Sequence, residues 1–330
     1  MSVLDVGELR SELSEHGIDV VRPFNTAWYN AYVKEEGLAL KPLASFGRDK
    51  KTGGALGILI GNSRALWPSF LSWLAAQPDS TIADPLDTYV HSIISAAVEK
   101  FAQHSNSSGS ANIRHEIFWP WEKGARLVSM QRVAATSGLC YLDDETKLVI
   151  HPVYGAWVGF RAVVVVDVPA DTPLGALTVL GLARPPMLDS LLSDDDTAAA
   201  RCAMAKALNV SDQANLCTQL HGSAGMAEDV KEAWAALRDC VSVGREHRYS
   251  DEQLHYHYTK DKACLAQALD RHRQRATNAV AALRTSWPWT WIEVVLTLLL
   301  PIALILAVVL TAKKMPGREG DDERLHKLAK

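Results

Sequence analysis

The feature that most constrains this chain is an apolar segment of nineteen residues, 294–312, that contains no charged residue. At about 1.5 Å per residue a helix of this length reaches roughly 28 Å, which is enough to cross the hydrocarbon core of a bilayer. Trp287, Trp289 and Trp291 precede the segment and Lys313 follows it, in the pattern of an aromatic belt and a charged stop. The alternative is a buried helix of a soluble core, but such helices rarely run this long without a charge. The sequence therefore predicts one C-terminal transmembrane helix.

The remaining residues have the composition of an ordinary globular body. With 22% charged and 48% hydrophobic residues, the chain has enough apolar surface to bury a core. We predict a body over residues 1–284, with an insertion rich in Pro, Gly, Ala and Asp at 169–225. A membrane anchor with its Trp-rich flank follows at 285–312, and a charged tail at 313–330.

Charge and cysteine content argue against several classes of function. The net charge of −4 and the lack of a basic stripe indicate no binding to nucleic acid. The five cysteines are scattered and form no CxxC pair, so neither a disulfide framework nor a zinc site is predicted. We expect reduced, mostly buried thiols and no metal site.

Hydrophobic periodicity predicts an α+β fold, because strands and helices mix without strict βαβ alternation. Helices are expected after the N-cap Asp5, around Leu66–Leu74, from Asp84-Pro85 onward, near 198–208, over 227–241, and from Ser250 to about Arg284. Strands are expected at 55–61, 113–119, 146–151 and 157–168.

The densest chemical signal is the segment 151–161, HPVYGAWVGFR, which places a histidine, aromatic residues, glycines and an arginine around the start of an apolar strand. If that strand is regular, Arg161 points to the face opposite Phe160 and Ala162. An arginine in so apolar a strand needs an anionic partner. The residues alone leave two interpretations open, a structural ion pair at the sheet edge and a ligand site. His151 by itself is more typical of a hydrogen-bonded core histidine than of a metal ligand.

Four blocks of sequence, taken in order, resemble one known family. They are RPFNTAWYN at 22–30, DPLD at 84–87, HPVYGAW at 151–157 followed by Arg161, and RYSDEQ at 248–253. Their order and spacing are similar to those of the cobalamin-processing chaperones of the methylmalonic aciduria and homocystinuria type C family. The first and third blocks are specific, whereas helix capping explains part of the other two.

The resemblance implies an α+β fold with a mixed sheet and flanking helices, like flavin reductases of the nitroreductase type. It also implies that cobalamin is bound with its lower axial base displaced and that the upper ligand is removed, by glutathione-dependent dealkylation or by reductive decyanation with FMN. By motif, the cobalamin-binding residues would be His151, Pro152, Tyr154, Gly155 and Trp157, and the glutathione-binding residues Arg161 and Arg245. A downstream cobalamin-trafficking protein and methionine synthase are the implied partners.

Several positions depart from the family pattern. A family histidine is replaced here by Arg132 or Ala135, depending on alignment, and a third family arginine falls near Cys264. A DxHxxG motif, which supplies a histidine to cobalt in other cobalamin proteins, is absent. Two other functions therefore stay open, a non-catalytic cobalamin carrier and a flavin-dependent reductase of another small molecule.

The expected location is a membrane, with the body facing the cytosol. The N-terminal residues have acidic side chains and no apolar h-region, so no signal peptide is predicted. The lysines and arginines that follow the apolar segment favour the opposite orientation, although weakly. A cytosolic body would keep its thiols reduced and would meet abundant glutathione.

Overall fold

The computed structural model describes residues 4–43, 46, 53–78, 82–104, 113–172, 183–221 and 227–286. The predicted membrane anchor at 294–312 therefore lies outside the described residues. Within the described ranges, no helix combines the length and the apolar character that crossing a membrane requires. The chain divides into two compact units, and the candidate site described below lies in the first, Met1–His272.

Helices and strands alternate irregularly along the described chain, as the α+β prediction requires. The helices are α1 (Val6–Glu15), α2 (Thr26–Glu35), α3 (Leu66–Ala75), α4 (Pro85–His104), α5 (Met130–Thr136), α6 (Asp194–His221), α7 (Ala227–Asp239), α8 (Asp251–Thr259) and α9 (Lys262–Ser286). The strands are β1 (Val20–Asn25), β2 (Ala55–Asn62), β3 (His115–Phe118), β4 (Tyr141–Leu142), β5 (Val149–Ile150) and β6 (Gly159–Pro169).

The main sheet has four strands in the order β1-β2-β6-β3, and β4 and β5 form a separate hairpin. All described strand pairs are antiparallel, so the expectation of a mixed sheet is wrong for the described residues. Every residue of β2 is buried, because helices cover both faces of the sheet. Alternate strand residues divide the core between these faces. Leu56, Ile58 and Ile60 pack with α1, α3 and α4, whereas Leu59 packs with α2 and α5.

Local signals in the sequence place several of these elements. Asp5 caps α1, since its carboxylate accepts from the backbone N–H of Gly7 at 2.7 Å. The strand predicted at 55–61 and the helix predicted from Pro85 are both confirmed. Near 198–208 the observed helix is much longer than predicted and spans Asp194–His221.

Other elements differ from the prediction. The helix expected from Ser250 to about Arg284 is broken, because Lys260 adopts a left-handed conformation (φ 54°) and ends α8. Asp261 then accepts from the N–H of Ala263 at 2.8 Å as a new helix begins. The strand expected at 146–151 shrinks to β5, since a turn closed by the Asp143 carboxylate on Thr146 occupies its start.

Candidate functional site

The segment 151–157 forms a closed turn rather than an extended strand. His151 and Gly155 exchange two backbone hydrogen bonds, of 2.9 and 2.8 Å. The Nδ1 atom of His151 accepts from the N–H groups of Val153 at 3.1 Å and Tyr154 at 3.2 Å. An accepting Nδ1 assigns the ring proton to Nε2. The histidine therefore stabilises the turn that carries it.

Gly155 fixes the turn against a second glycine. Its φ is +56°, and a Cβ built on it would lie 1.9 Å from the carbonyl oxygen of Val243. Gly244 has a φ of +71°, and a Cβ there would lie 2.3 Å from the Gly155 nitrogen. Only residues without a side chain permit this backbone approach. The two glycines thus join the turn to the segment that leads into Tyr249.

The rings of His151 and Tyr154 lie near a set of polar residues, His247, Asp19 and Ser63. They stack at 4.8 Å, and the ring of His247 meets Tyr154 edge-on at 4.9 Å. The Tyr154 hydroxyl donates to Asp19 at 3.5 Å, and Asp19 also accepts from Ser63 Oγ at 2.6 Å. Burial lowers the pKa of His151, Asp19 opposes that shift, and His247 adds to it.

A β-bulge sets the direction of Arg161. In the register with β2, Ile60 pairs with Ala162 but Gly61 pairs with Phe160, so Arg161 is the extra residue. Phe160 and Ala162 consequently pack against opposite faces of the sheet. The expectation of a regular strand, with both residues opposite Arg161, is therefore wrong.

The partner of Arg161 is an amide rather than a carboxylate. Its Nε donates to Asn62 Oδ1 at 2.6 Å, and within the described ranges no carboxylate forms an ion pair with it. Strand β6 also lies between β2 and β3 rather than at an edge. The interpretation of Arg161 as one half of a structural ion pair at the sheet edge is therefore wrong for the part of the chain that the structure describes.

Arg161, Asn62, Tyr249 and His257 form what we call the Arg161 cluster. A Cβ built on Gly159 would lie 3.4 Å from Asn62 Oδ1, 3.5 Å from Tyr249 Oη and 3.7 Å from Arg161 Nη2. Tyr249 is only 3% exposed, yet its hydroxyl has no hydrogen-bond partner among the described residues. A buried hydroxyl without a partner is costly, so this position invites a ligand.

The charge in this cluster is positive. Burial lowers the pKa of Arg161, with Tyr249 and Asp87 opposing the shift and Arg238 adding to it. Burial also lowers the pKa of His257 to well below its ordinary value, and the neighbouring Arg161 adds to that shift. His257 is therefore neutral, and its ring lies 5.6 Å from that of Tyr249. Because no carboxylate of the described residues pairs with Arg161, its charge can bind an anion, and the neutral His257 beside it does not compete.

Residues of two sequence blocks meet at this cluster, and the charge of a residue from a third block acts on Arg161. Arg161 closes the third block, Asp87 belongs to the second, and Tyr249 and Gln253 belong to the fourth. The first block is structural. Asn25 caps α2 through the N–H of Ala27. Arg22 and Asn30 bond the backbone at 137 and 43. The hydroxyls of Thr26 and Tyr29 accept from the backbone N–H groups at 55 and 129.

A cleft of about 750 Å³ lies beside the cluster. Gly159 lines the cleft and also lies next to the cluster. The apolar lining of the cleft includes Leu40, Leu127, Val128, Met130, Leu148, Val149, Phe160 and Trp234. Its polar lining includes Ser129, Gln131, Arg132, Thr146, Lys147 and Arg238. Among these lining residues there is no aspartate, glutamate, histidine or cysteine. The cleft is thus apolar with positive charges and lies within the size range of ligand sites.

The predicted site residues differ in where the structure places them: some form the turn, some lie in or against the Arg161 cluster, and one is exposed. Gly155 and His151 build the turn, Trp157 is buried against the ring of Tyr249 at 5.5 Å, and Arg161 lies in the cluster. Pro152 is exposed at the tip of the turn. The neighbours of Trp157 in sequence, Ala156 and Val158, line the cleft.

Arg245, the second arginine predicted to bind glutathione, is exposed and donates to the carbonyl oxygen of Val241 at 3.3 Å. No contact in the described structure brings it to Arg161. Arg238 lies near Arg161 instead and also lines the cleft. Sequence reasoning missed Arg238 because it reads as the last-turn basic residue of a helix. Of the two positions that could replace the family histidine, Arg132 lines the cleft and Ala135 is buried in the core.

The described residues contain no group of three or more His, Cys, Asp or Glu side chains that could hold a metal ion. Cys140, Cys202, Cys240 and Cys264 are all unpaired. Burial strongly raises the pKa of Cys140, so that thiol is not a nucleophile.

No family model matches the chain, and no curated protein matches it. Among solved structures, the chain is similar to CblC of C. elegans, a B12-trafficking protein and homologue of human MMACHC. The identity is 14%, the TM-score is 0.49, and the match covers 81% of this chain and 95% of that one. It is also similar to an epoxyqueuosine reductase, with 12% identity, a TM-score of 0.33, and coverage of 53% of this chain and 48% of that one. Identities this low leave the activity of the chain to be proposed from its own residues.

Proposed function

We propose that this chain binds cobalamin base-off and removes its upper axial ligand before the cofactor is passed on. The observation that carries the proposal is the convergence of sequence blocks on the Arg161 cluster, which lies next to Gly159 in the lining of the cleft.

The lining of the cleft suits a corrinoid. A corrin ring has broad apolar faces and a rim of amides, and the cleft offers apolar side chains together with Ser129, Gln131 and Arg132 as hydrogen-bonding groups. Because the lining includes no histidine or cysteine, these residues would give cobalt no imidazole or thiolate ligand. This supports a site in which the protein does not replace the displaced lower base. We place the contacts at 156–160, with His151 and Tyr154 holding the turn.

Arg161 and Tyr249 supply the groups that a thiol co-substrate needs. The guanidinium can pair with a carboxylate of glutathione, and the unpartnered Tyr249 hydroxyl can donate a hydrogen bond. Positive charge nearby favours the thiolate. The thiolate sulfur would attack the cobalt-bound alkyl carbon, so that an S–C bond forms and the Co–C bond breaks. Its electron pair would stay on cobalt, which changes from Co(III) to Co(I), and the product is a thioether.

Decyanation is the other half of the proposed activity. There an electron donor reduces cobalt and cyanide leaves. The assignment of FMN as that donor, and of the fold to flavin reductases of the nitroreductase type, rests on the sequence resemblance. Transfer of the product to a trafficking protein and on to methionine synthase rests on the same resemblance.

One observation favours a second function, a non-catalytic cobalamin carrier. Arg245 lies exposed outside the cluster, so the pair of arginines expected for glutathione is incomplete. A carrier would bind cobalamin base-off and leave the upper ligand in place.

An absorption titration of the purified full chain in detergent tests the proposal. Added methylcobalamin should shift to its base-off spectrum, and glutathione should then convert it to the dealkylated form. An unchanged base-on spectrum at saturating protein would refute cobalamin binding. A base-off spectrum that glutathione does not alter, together with cyanocobalamin that stays intact in the presence of reduced FMN, would identify a carrier. Tight flavin binding without any cobalamin response would identify a reductase of another small molecule.

Attachment to a membrane through 294–312, with the body in the cytosol, completes the proposal. The unpaired cysteines of the described residues fit a reducing compartment that supplies glutathione. Protease added to sealed microsomes or mitochondria should digest the body and leave a short protected fragment. Asn106-Ser-Ser and Asn209-Val-Ser match the N-glycosylation sequon, and glycosylation at either site would show the opposite orientation.

A further inference from the structure

One cation in the cleft, Arg132, has no carboxylate to neutralise it in the described structure. Arg132, Lys147 and Arg238 all line the cleft, and no aspartate or glutamate does. Lys147 has a carboxylate within 3.9 Å, that of Asp144 at the surface. Arg238 lies over the aromatic rings of Trp157 and Tyr258. Arg132 has neither kind of partner in the described ranges.

The side chain of Arg132 is held in place at one end only. Its Nη1 donates to Ser129 Oγ at 3.3 Å, and it also bonds the hydroxyl of Tyr32. Burial raises the pKa of Tyr32, which keeps that hydroxyl neutral. The Nε atom of Arg132, in contrast, is buried and has no hydrogen-bond partner among the described residues.

A buried guanidinium donor without an acceptor is unfavourable unless a ligand supplies one. Apolar neighbours in the lining, such as Val128 and Leu148, lower the local polarity and strengthen any ionic hydrogen bond. The flat fork of a guanidinium matches the oxygens of a phosphate.

We propose that Arg132, positioned by Ser129 and Tyr32, binds the phosphate group of a ligand that occupies the cleft. The inference rests on the proposed function in one respect, since it assigns a subsite within the proposed cobalamin cleft. Two ligands could bring such a group, a corrinoid through its nucleotide-side phosphate and a flavin mononucleotide through its terminal phosphate. The shared chemistry is a phosphate ester beside an apolar ring system.

Matched ligand pairs test the proposal on the full chain in detergent. Quenching of tryptophan fluorescence, with Trp234 in the cleft wall, gives dissociation constants for cobinamide phosphate against cobinamide and for FMN against riboflavin. Each pair differs only by the phosphate. The variants are Arg132→Gln, Arg132→Lys and a control, Arg114→Gln, at an exposed arginine that pairs with Asp167.

We expect the native chain to bind the phosphorylated member of one pair about tenfold or more tightly. Arg132→Gln should reduce that preference to about twofold, Arg132→Lys should keep part of it, and Arg114→Gln should keep all of it. Loss confined to the corrinoid pair identifies the nucleotide side of cobalamin, and loss confined to the flavin pair identifies FMN.

No preference in the native chain, or a preference that survives Arg132→Gln, would overturn the proposal. Corrinoid binding without any phosphate preference would leave the proposed function standing while this subsite fails. A preference for FMN that depends on Arg132, with no corrinoid binding, would support the phosphate subsite and refute the proposed function. Arg132→Lys guards against a folding defect, because it keeps the charge and most of the packing.

Discussion

The two halves of the segment 151–161 differ in how their polar groups are satisfied. In the first half, His151 Nδ1 accepts two backbone N–H groups, and Gly155 packs against the backbone at 243–244. In the second half, Arg161 has no carboxylate partner among the described residues, and the Tyr249 hydroxyl near it has no hydrogen-bond partner there. One sequence motif therefore combines a turn whose polar groups bond within the protein with groups whose hydrogen bonds a ligand could complete.

This difference separates stability from binding. Substitutions in the first half should change the free energy of unfolding, because the groups they remove bond within the protein. Substitutions in the second half should change ligand affinity, because the groups they remove have few hydrogen bonds within the described protein. The following predictions test that separation, and each could also break it.

The largest effect is expected for Gly155→Ala. The added Cβ would overlap the carbonyl oxygen of Val243, and alanine would have to adopt a φ of +56°. Overlap and left-handed strain together should cost about 2–5 kcal/mol of unfolding free energy, measured in urea. Gly124→Ala is the matched control, since Gly124 has a φ of +62° but no atom within 4 Å of the new Cβ. The control should lose only the strain, about 1–2 kcal/mol. Equal losses would mean that the contact between the two glycines is not tight.

Arg161→Ala should act mainly on the thiol reaction. If Arg161 pairs with a carboxylate of glutathione, its loss should weaken glutathione use by about 1.5–3 kcal/mol, measured as kcat/KM for dealkylation of methylcobalamin. The free energy of unfolding should fall by only about 1 kcal/mol, because Asn62 loses one donor. Cobalamin affinity should change little. A large fall in stability with equal loss of both ligands would place Arg161 in the structural half.

His257 makes the second half sensitive to pH. Burial and the positive neighbours Arg161, Lys260 and Arg238 hold its pKa well below the ordinary value. The unfolded chain therefore binds a proton that the folded chain does not, and stability should fall as the pH drops below about 6.5. The contribution from this one residue is up to about 1.4 kcal/mol at pH 5.5. The midpoint of thermal unfolding should vary less with pH in His257→Gln than in His272→Gln, which alters a surface histidine. Parallel pH profiles for the two variants would show that folding does not lower the pKa of His257.

Sequence patterns predicted the fold where one local rule decided the outcome. The apolar run of β2 and the caps at Asp5, Asp84-Pro85 and Ser250 were enough to place an element. The break at Lys260 was not predictable in this way, because a lysine in a left-handed conformation leaves no pattern in the sequence. The β-bulge at Arg161 likewise depends on the partner strand, which periodicity within one strand does not report.

Part of the candidate site could also be predicted from local sequence, and the rest depended on tertiary packing. The segment 151–161 identified the neighbourhood, and Arg161 was found from its position in an apolar strand. The unpartnered hydroxyl of Tyr249 and the guanidinium of Arg238 come from elements that lie more than seventy residues further along the chain. Their roles depend on how α7 and α8 pack against the start of β6, which only the tertiary structure reveals.

The smallest effect is expected for His151→Asn. The Oδ1 atom of asparagine can take the place of Nδ1 and accept from the N–H groups of Val153 and Tyr154, as it does in Asx turns. Stability should therefore fall by less than about 1 kcal/mol, whereas His151→Ala, which removes the acceptor, should cost about 1 kcal/mol more. Neither variant should change the affinity for cobalamin by more than about twofold, because the imidazole works within its own turn. A tenfold loss of affinity in His151→Asn, with stability preserved, would show that the ring contacts the ligand. The first half of the segment would then belong to the binding site as well, and the separation between stability and binding would fail at this residue.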